Sequence, residues 1–546
     1  MELFSEKRTA RSFCVLAGWC LMLFLLTAPA QGRAQGRPAG QTGGASGGKD
    51  VSPYVTKMGQ LFYYLNGYYL DTVNFDKITD EAVISVIRAL DPHSVYVPAR
   101  EVEAMNEPLQ GNFDGIGIEF ALINDTLTVQ NTVSGGPSEK VGIRSGDKIN
   151  RVDGKVISGT GLTTAGVHGY LRGPKGSRVN LGVIRKGVGG ELDFSVTRDK
   201  IPLNSVDASY QAAPGLLYLR LSRFAATSYR EIMQKVEEAG GAPNGIILDL
   251  RGNSGGYLMA ALQIANEFLE RGNLILYTEG RAMNRRDERA NGAGRLKDVP
   301  VAVLIDENSA SASEIVAGAI QDWDRGTVIG RRSFGKGLVQ QQLPLADGSL
   351  LRLTVARYHT PSGRVIQSPY EPGKTEAYYK QLYERFVRGE QFSRDSIHFP
   401  DSLKYKTLRE GRTVYGGGGI MPDVFIPQDT SFYTPFYGAV VRKELLVDFV
   451  NGYTDQHRAG LLARYPEAED FSRSFTVEES LFDRFVEYCR EKGTEPADPA
   501  QLTVSGPELK KYLKGLMIRN LFDFSAYIRF INADDPQVQE ALRVLE

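Results

Sequence analysis

Cysteine is scarce in this chain, with three residues in 546: Cys14, Cys20 and Cys489. The first two lie in an N-terminal apolar segment, so the chain beyond it keeps one thiol. One cysteine cannot form an internal disulfide, and stability must come from packed cores. Histidine is also rare. His93, His168, His359, His398 and His457 form no ligand-spaced cluster, which gives no sign of a metal enzyme, and no cofactor is called for. Charge of one sign is not in excess: 64 basic against 65 acidic residues leave −1, so nothing points to nucleic acid or an anionic surface. Internal repeats are absent as well.

A long hydrophobic run occurs once, from Phe13 to Thr27. Lys7, Arg8 and Arg11 precede it and Ala28-Pro29-Ala30 follows, the order of an export signal with its cleavage site. An uncleaved membrane anchor through residues 13–27 is the alternative, since the run is only slightly short of a span. Trp19 argues against lipid attachment at Cys20, where a small residue should precede the cysteine. Residues 31–50 are rich in Gly, Ala and Gln and read as a flexible linker.

Residues 51–110 read as helical, with Val55, Met58, Leu61, Phe62, Leu65 and Tyr69 at helical spacing and a second helix from about Asp80 to Leu90. Residues 111–199 change to short strands broken by glycine. Residues 200–428 alternate helix and strand, and Gly245–Leu250 and Val301–Ile305 are apolar runs suited to strands buried on both faces. Leu343–Val355 reads as a hairpin turning at Asp347-Gly348. The polar stretch 280–298 reads as an exposed loop. Residues 429–546 read as helical, with helix starts at Ser505–Glu508 and Asp535-Pro536. Cys489 sits on an amphipathic helix and reads as a buried structural residue.

Four motifs carry chemistry. In Gly115-Ile-Gly-Ile-Glu-Phe120, two glycines at the start of a strand can turn backbone N–H groups towards an anion such as a peptide carboxylate. With Gly136-Pro-Ser-Glu-Lys-Val-Gly-Ile-Arg-Ser-Gly-Asp147 downstream, about eighty residues resemble a PDZ domain. That likeness implies a peptide adding as a strand beside Ile116–Phe120, with Gly115, Ile116, Gly117, Ile118 and Phe120 at the groove. Ser138 and Val141 stand where the family more often has alanine. A small β-domain acting as a spacer is the plainer alternative.

The second motif, Asp249-Leu-Arg-Gly-Asn-Ser-Gly-Gly256, is a glycine-rich turn between a buried strand and a helix. Such turns offer N–H groups to developing negative charge, and are also common as plain structural turns. In the third, Asn308-Ser-Ala-Ser-Ala-Ser-Glu314, Ser311 stands at a strand-to-helix turn. Ser311-x-x-Glu314 also fits a capping box, and spacing cannot separate a cap from a nucleophile. In the fourth, Ser333-Phe-Gly-Lys-Gly-Leu-Val-Gln340, Lys336 lies in an apolar setting that would lower its pKa towards that of a general base. Gln340, four residues on, could share its face and hold it.

Together the motifs closely resemble the C-terminal processing (tail-specific) peptidases, over about Tyr54 to Pro427. Leu90-Asp-Pro-His-Ser-Val-Tyr96, Thr360-Pro-Ser-Gly-Arg-Val-Ile-Gln367 and Gly416-Gly-Gly-Gly-Ile-Met-Pro-Asp423 belong to the likeness. It implies a multidomain α+β chain: a PDZ domain placed before an α/β crotonase/ClpP-like protease core, with helical regions at either end. It also implies Ser311 as nucleophile, Lys336 as base, and Gln340 orienting the lysine. Ala312 and either Gly255 or Gly256 would supply the oxyanion hole, and substrates would be proteins with apolar C-termini. The expectation is therefore an exported serine endopeptidase of the periplasm or cell envelope. A non-catalytic PDZ scaffold is the alternative, and a homo-oligomer is left open. Acyl-CoA enzymes share the oxyanion turn but explain neither Lys336 nor the PDZ pattern.

Overall fold

A computed structural model describes residues 49–546, so the export or anchor segment lies outside the described residues. Among them, no helix is long and apolar enough to cross a membrane. The chain divides into two compact units. One holds Arg251–Asp298, Ile305–Asp423 and the N-terminal part up to Asn106; the other holds Glu107–Leu250, Val299–Leu304 and Val424–Glu546.

In the first unit an antiparallel sheet runs Val95–Val97, Leu350–His359, Leu274–Gly280, Met283–Arg289, and Leu338–Pro344 also pairs with Leu350–His359. The hairpin expected around Asp347 is present, and Asp347 Oδ1 accepts the Ser349 N–H at 3.0 Å to close its turn. Helices Leu258–Phe268 and Ala312–Asp322 pack on one another and on strand Leu274–Gly280. Every residue of Ala312–Asp322 is buried, which suits the small side chains that let neighbours approach from all sides. Of the two N-terminal helices, Phe75–Arg88 starts earlier than its apolar pattern indicates, because the Asn74 side chain caps it by accepting from Lys77 N at 3.0 Å.

The supposed loop at 280–298 is half strand. Met283–Arg289 pairs with Leu274–Gly280 as a sheet edge. Its sequence, Met-Asn-Arg-Arg-Asp-Glu-Arg, shows no hydrophobic alternation because the strand is mostly exposed. Ion pairs along it, Arg285–Asp287 at 2.8 Å and Arg286–Glu288 at 2.7 Å, give the charged edge that resists pairing with other chains.

In the second unit a six-stranded antiparallel sheet orders Ile118–Ile123, Thr126–Thr132, Lys148–Val152, Arg178–Ile184, Glu191–Thr197, with Lys155–Val156 beside the third. Leu127, Val129, Ile149, Val179, Leu181 and Val196 fill its core. A second sheet pairs Val206–Ala213 antiparallel with Leu216–Leu221, followed in parallel by Gly245–Asp249 and Val301–Ile305. The last two strands are buried at every position, as continuous apolar runs require.

The C-terminal helices have their own core around Phe436, Val450, Phe471, Phe485, Leu513 and Met517. Cys489 is buried there, and burial pushes its thiol up to about 12, far from nucleophilic use. Helix Phe524–Asn532 packs on strand Val206–Ala213, and Pro536–Leu545 on Gly245–Asp249. Asp535 caps the last helix, as its sequence indicates. The start expected at Ser505 is instead the interior of helix Ala500–Leu521, which carries Pro507 inside it. Its true start follows Pro499, and the Ser505 hydroxyl is held by Thr434 and by the Phe432 carbonyl rather than by a cap.

Candidate active site

Ser311 closes the loop after strand Val301–Ile305 and is the last residue before helix Ala312–Asp322. Its backbone has φ 60° and ψ −110°, a left-handed strain rare outside glycine. Such a turn sets the side chain at the head of a helix. Glu314 completes half a capping box, accepting the Ser311 N–H at 2.6 Å. The other half has the arrangement of a box but no hydrogen bond: the Ser311 Oγ has no hydrogen-bond partner among the described residues, although the residue is fully buried. The hydroxyl is therefore not spent on capping.

Glu314 does more than its spacing indicates. Its buried carboxyl also accepts from Ser333 Oγ at 2.6 Å, Gly335 N at 2.7 Å and Lys336 N at 2.9 Å. Burial raises its pKa and these donors oppose the rise. The Tyr358 hydroxyl lies 3.1 Å from the Ser311 carbonyl and 2.9 Å from that of Lys336, and donates between them. Two side chains thus tie the backbones of Ser311 and Lys336 together across 25 residues of sequence. Gly335 permits the tight path before the lysine: it has φ 96°, and a Cβ there would stand 2.3 Å from Ser368 Oγ.

Lys336 is 6% exposed. Burial first, and then the charge of Arg352, lower its pKa to about 7 against the smaller opposing pull of Asp91 and Glu314. Gln340 Oε1 accepts from Lys336 Nζ at 3.3 Å, and Gln340 Nε2 donates to the His93 carbonyl. A register shift between Val339 and Gln340 in strand Leu338–Pro344 re-aims the glutamine. Asp91 in turn shapes the His93 loop, accepting from His93 N at 2.8 Å and Ser94 N at 2.7 Å. Sequence reasoning quoted the Asp91–Ser94 motif without a role, and missed Arg352 and Tyr358 altogether. Nothing in their spacing marks them, because they meet the lysine only through the fold.

The glycine turn stands against the serine. A Cβ on Gly255 would lie 2.8 Å from that of Ser311 and 3.1 Å from Ala312 N, so only glycine fits. The Gly255 N–H donates to Asn253 Oδ1 at 2.9 Å, while the Asn253 carbonyl accepts from Ala310 N at 3.0 Å and Ser313 Oγ at 2.8 Å. Ala312 opens the helix, so its N–H has no acceptor within that helix.

In the other unit, Ile118–Ile123 is the terminal strand of its sheet, and helix Leu445–Arg464 packs beside it. Gly115, Ile116 and Gly117 are buried at its entry. Phe120 meets His168 of helix Thr164–Leu171 edge to face at 5.8 Å, and Ile118 and Phe120 are only half-buried. Ser138 is fully buried with an Oγ that has no partner among the described residues, a polar intrusion where alanine would be neutral. Among the described residues, no group of three His, Cys, Asp or Glu is arranged to hold a metal ion.

Comparison with known proteins matches residues 215–373 to peptidase family S41, 115–196 to the PDZ domain, and 436–523 to a family of unknown function, DUF8443. The chain is 37% identical over 319 residues to a carboxy-terminal-processing protease of Bartonella bacilliformis, covering 57% of this chain and 72% of that one. The chain belongs to this protease family, within peptidase family S41. It is a serine-type peptidase whose PDZ domain precedes the protease domain. A probable CtpA-like serine protease of Staphylococcus aureus is 33% identical over 315 residues, 57% of this chain and 62% of its own. Among solved structures, a photosystem II D1 C-terminal processing protease is 26% identical, with a TM-score of 0.34, covering 68% of this chain and 86% of its own. Family membership sets aside the scaffold alternative.

Proposed function

We propose that this peptidase is an exported endopeptidase that cuts proteins at or near their C-termini through a Ser311–Lys336 centre. The observation that carries the reading is the pairing of an unpartnered, buried Ser311 hydroxyl with a buried lysine lowered to about 7, their backbones tied by Glu314 and Tyr358. Neutral Lys336 Nζ takes the Ser311 proton as Oγ bonds to the scissile carbonyl carbon. The C–N bond then breaks, Lys336 returns the proton to the leaving amine, and water releases the acyl group by the same route. Oγ and Nζ share no hydrogen bond here; such contacts commonly tighten only around bound substrate. Export rests on the N-terminal sequence alone. Labelling by a fluorophosphonate, with peptide cleavage followed in parallel, tests the reading: wild type should label and Ser311→Ala should not.

The oxyanion donors follow from the same geometry. The Gly255 amide is committed to Asn253, so we assign the role to the amides of Ala312 and Gly256. A structure with a peptidyl aldehyde should place the hemiacetal oxygen within hydrogen-bond reach of both nitrogens. An oxygen held by Gly255 instead would refute the assignment.

Activity should follow the lysine. kcat/KM is expected to fall about tenfold per unit below pH 7 and to hold level into mildly alkaline pH, since only neutral Lys336 can act as base. His93 cannot be the source of this limb: burial, then Lys336, push it down to about 3, so it stays neutral throughout. A limb that vanished in His359→Ala would transfer the chemistry to a histidine.

The PDZ groove gives the proposed preference for chain ends. Amides of the Gly115–Gly117 loop would bind a free carboxylate, while the half-buried Ile118 and Phe120 would receive its apolar end group. A peptide ending in Ala, Val or Leu should bind at least tenfold more tightly than its amidated or Asp-terminated form, because unpaired N–H groups or a desolvated charge each cost ~1–3 kcal/mol. Calorimetry on the full chain carrying Ser311→Ala measures this; equal affinities would remove tail recognition and leave the chemistry standing.

A further inference from the structure

Outside the catalytic centre, three arginines share one carboxylate. Glu390 Oε2 accepts from Arg332 Nη1 at 2.9 Å and Arg385 Nε at 3.1 Å, and Oε1 accepts from Arg388 Nη2 at 3.0 Å. Arg332, Arg385 and Glu390 are nearly buried, whereas Arg388 is about half exposed. All four line a cavity of about 300 Å³, together with Ser368, Gln381, Ser396 and His398. Three cations less one anion leave two positive charges on its wall.

The surroundings do not cancel this excess. Glu384 lies 3.9 Å from Arg388 Nη1 on the exposed side, too loose and too wet to count for much. Glu314 and Glu307 act on Arg385 only from a distance, after Glu390. Arg332 is stacked over Phe399, 4.6 Å from the ring centre, and its Nε donates to the Gly418 carbonyl at 2.6 Å. Its Nη2 group donates to no acceptor among the described residues. Burial first, and then the charge of Arg385, push the Arg332 pKa down to about 9 against the opposing pull of Glu390.

We infer that this cavity binds a phosphate-class oxyanion, held by Arg332 and Arg388 with hydroxyl, amide and imidazole donors around it. A singly charged carboxylate would neutralise half the excess. A phosphate dianion neutralises all of it, and its several acceptor oxygens match the guanidinium forks. Arg385 also donates to the carbonyls of Arg332, Ser333 and Phe334, so the site stands directly behind the loop that carries Lys336.

The test is calorimetric titration of the full chain carrying Ser311→Ala, which separates binding from catalysis. Inorganic phosphate and glycerol 3-phosphate are the probes, with sodium chloride at matched ionic strength as the control. Saturable binding of at least one phosphate probe, weakened tenfold or more by Arg388→Gln and more by Arg388→Glu, is the expected result. A preference between the two probes tells free phosphate from an esterified one. Arg388 is exposed enough for both variants to fold, which their melting curves would verify. Absence of binding beyond the chloride effect, or equal affinity in Arg388→Gln, would overturn the inference.

Discussion

Ser311→Ala is expected to abolish peptide cleavage, by roughly 10⁴-fold or more, as loss of a nucleophile does in other serine peptidases, while leaving the fold as stable as before. The second half of this result separates the two readings of the serine. As a helix cap, its loss would cost about 1 kcal/mol. In the structure the hydroxyl is buried and makes no hydrogen bond among the described residues, so its removal takes away an unsatisfied polar group rather than a contact. The bond that anchors the turn, Ser311 N to Glu314, belongs to the backbone and survives in alanine. The left-handed φ remains equally strained in both. Denaturation midpoints within experimental error of wild type, with no turnover, are therefore expected. A destabilised variant whose folded fraction cleaved normally would make Ser311 a cap and nothing more.

The parts of this molecule legible in sequence are those encoded locally. The turn at Ser311, the glycines beside Lys336, the Asp347-Gly348 hairpin and the buried strands each need only a few adjacent residues. The likeness to a known peptidase family then joined them into one site. What stayed hidden depends on the fold. Glu314 looks like a capping residue because it stands three positions after Ser311; its bonds to Ser333, Gly335 and Lys336 cross 19 to 22 positions. Asp91 and His93 reach the site from 247 positions or more away. Met283–Arg289 is a strand whose exposed, charged sequence lacks the alternation that a half-buried strand would show. Helix Ala500–Leu521 tolerates Pro507 in its interior, so a residue that usually marks a first turn misplaced its start.

Lys336→Arg should be nearly as damaging as Lys336→Ala, with both losing on the order of 10³-fold in kcat/KM at pH 8. Arginine keeps the positive charge but does not deprotonate, so it cannot accept the serine proton. It would also set a second fixed guanidinium close to Arg352, whose charge already disfavours protonated Lys336. Near-normal activity in Lys336→Arg would reduce the lysine to an electrostatic role. Stability carries an independent signature. Lys336 titrates near 7 in the folded chain and at its ordinary 10.5 when unfolded. Below pH 7 both states are protonated and the burial penalty is felt in full. Between pH 7 and 10.5 the unfolded chain binds a proton that the folded chain does not, so wild-type stability gains with rising pH. Lys336→Met has no such proton. Its stability advantage over wild type should be greatest below pH 7 and shrink by about 1.4 kcal/mol per pH unit above it. Chemical denaturation of the two proteins at pH 6, 8 and 9 measures the difference directly. A constant gap across that range would mean that Lys336 is charged in the folded protein, and the proposed base would be lost with it.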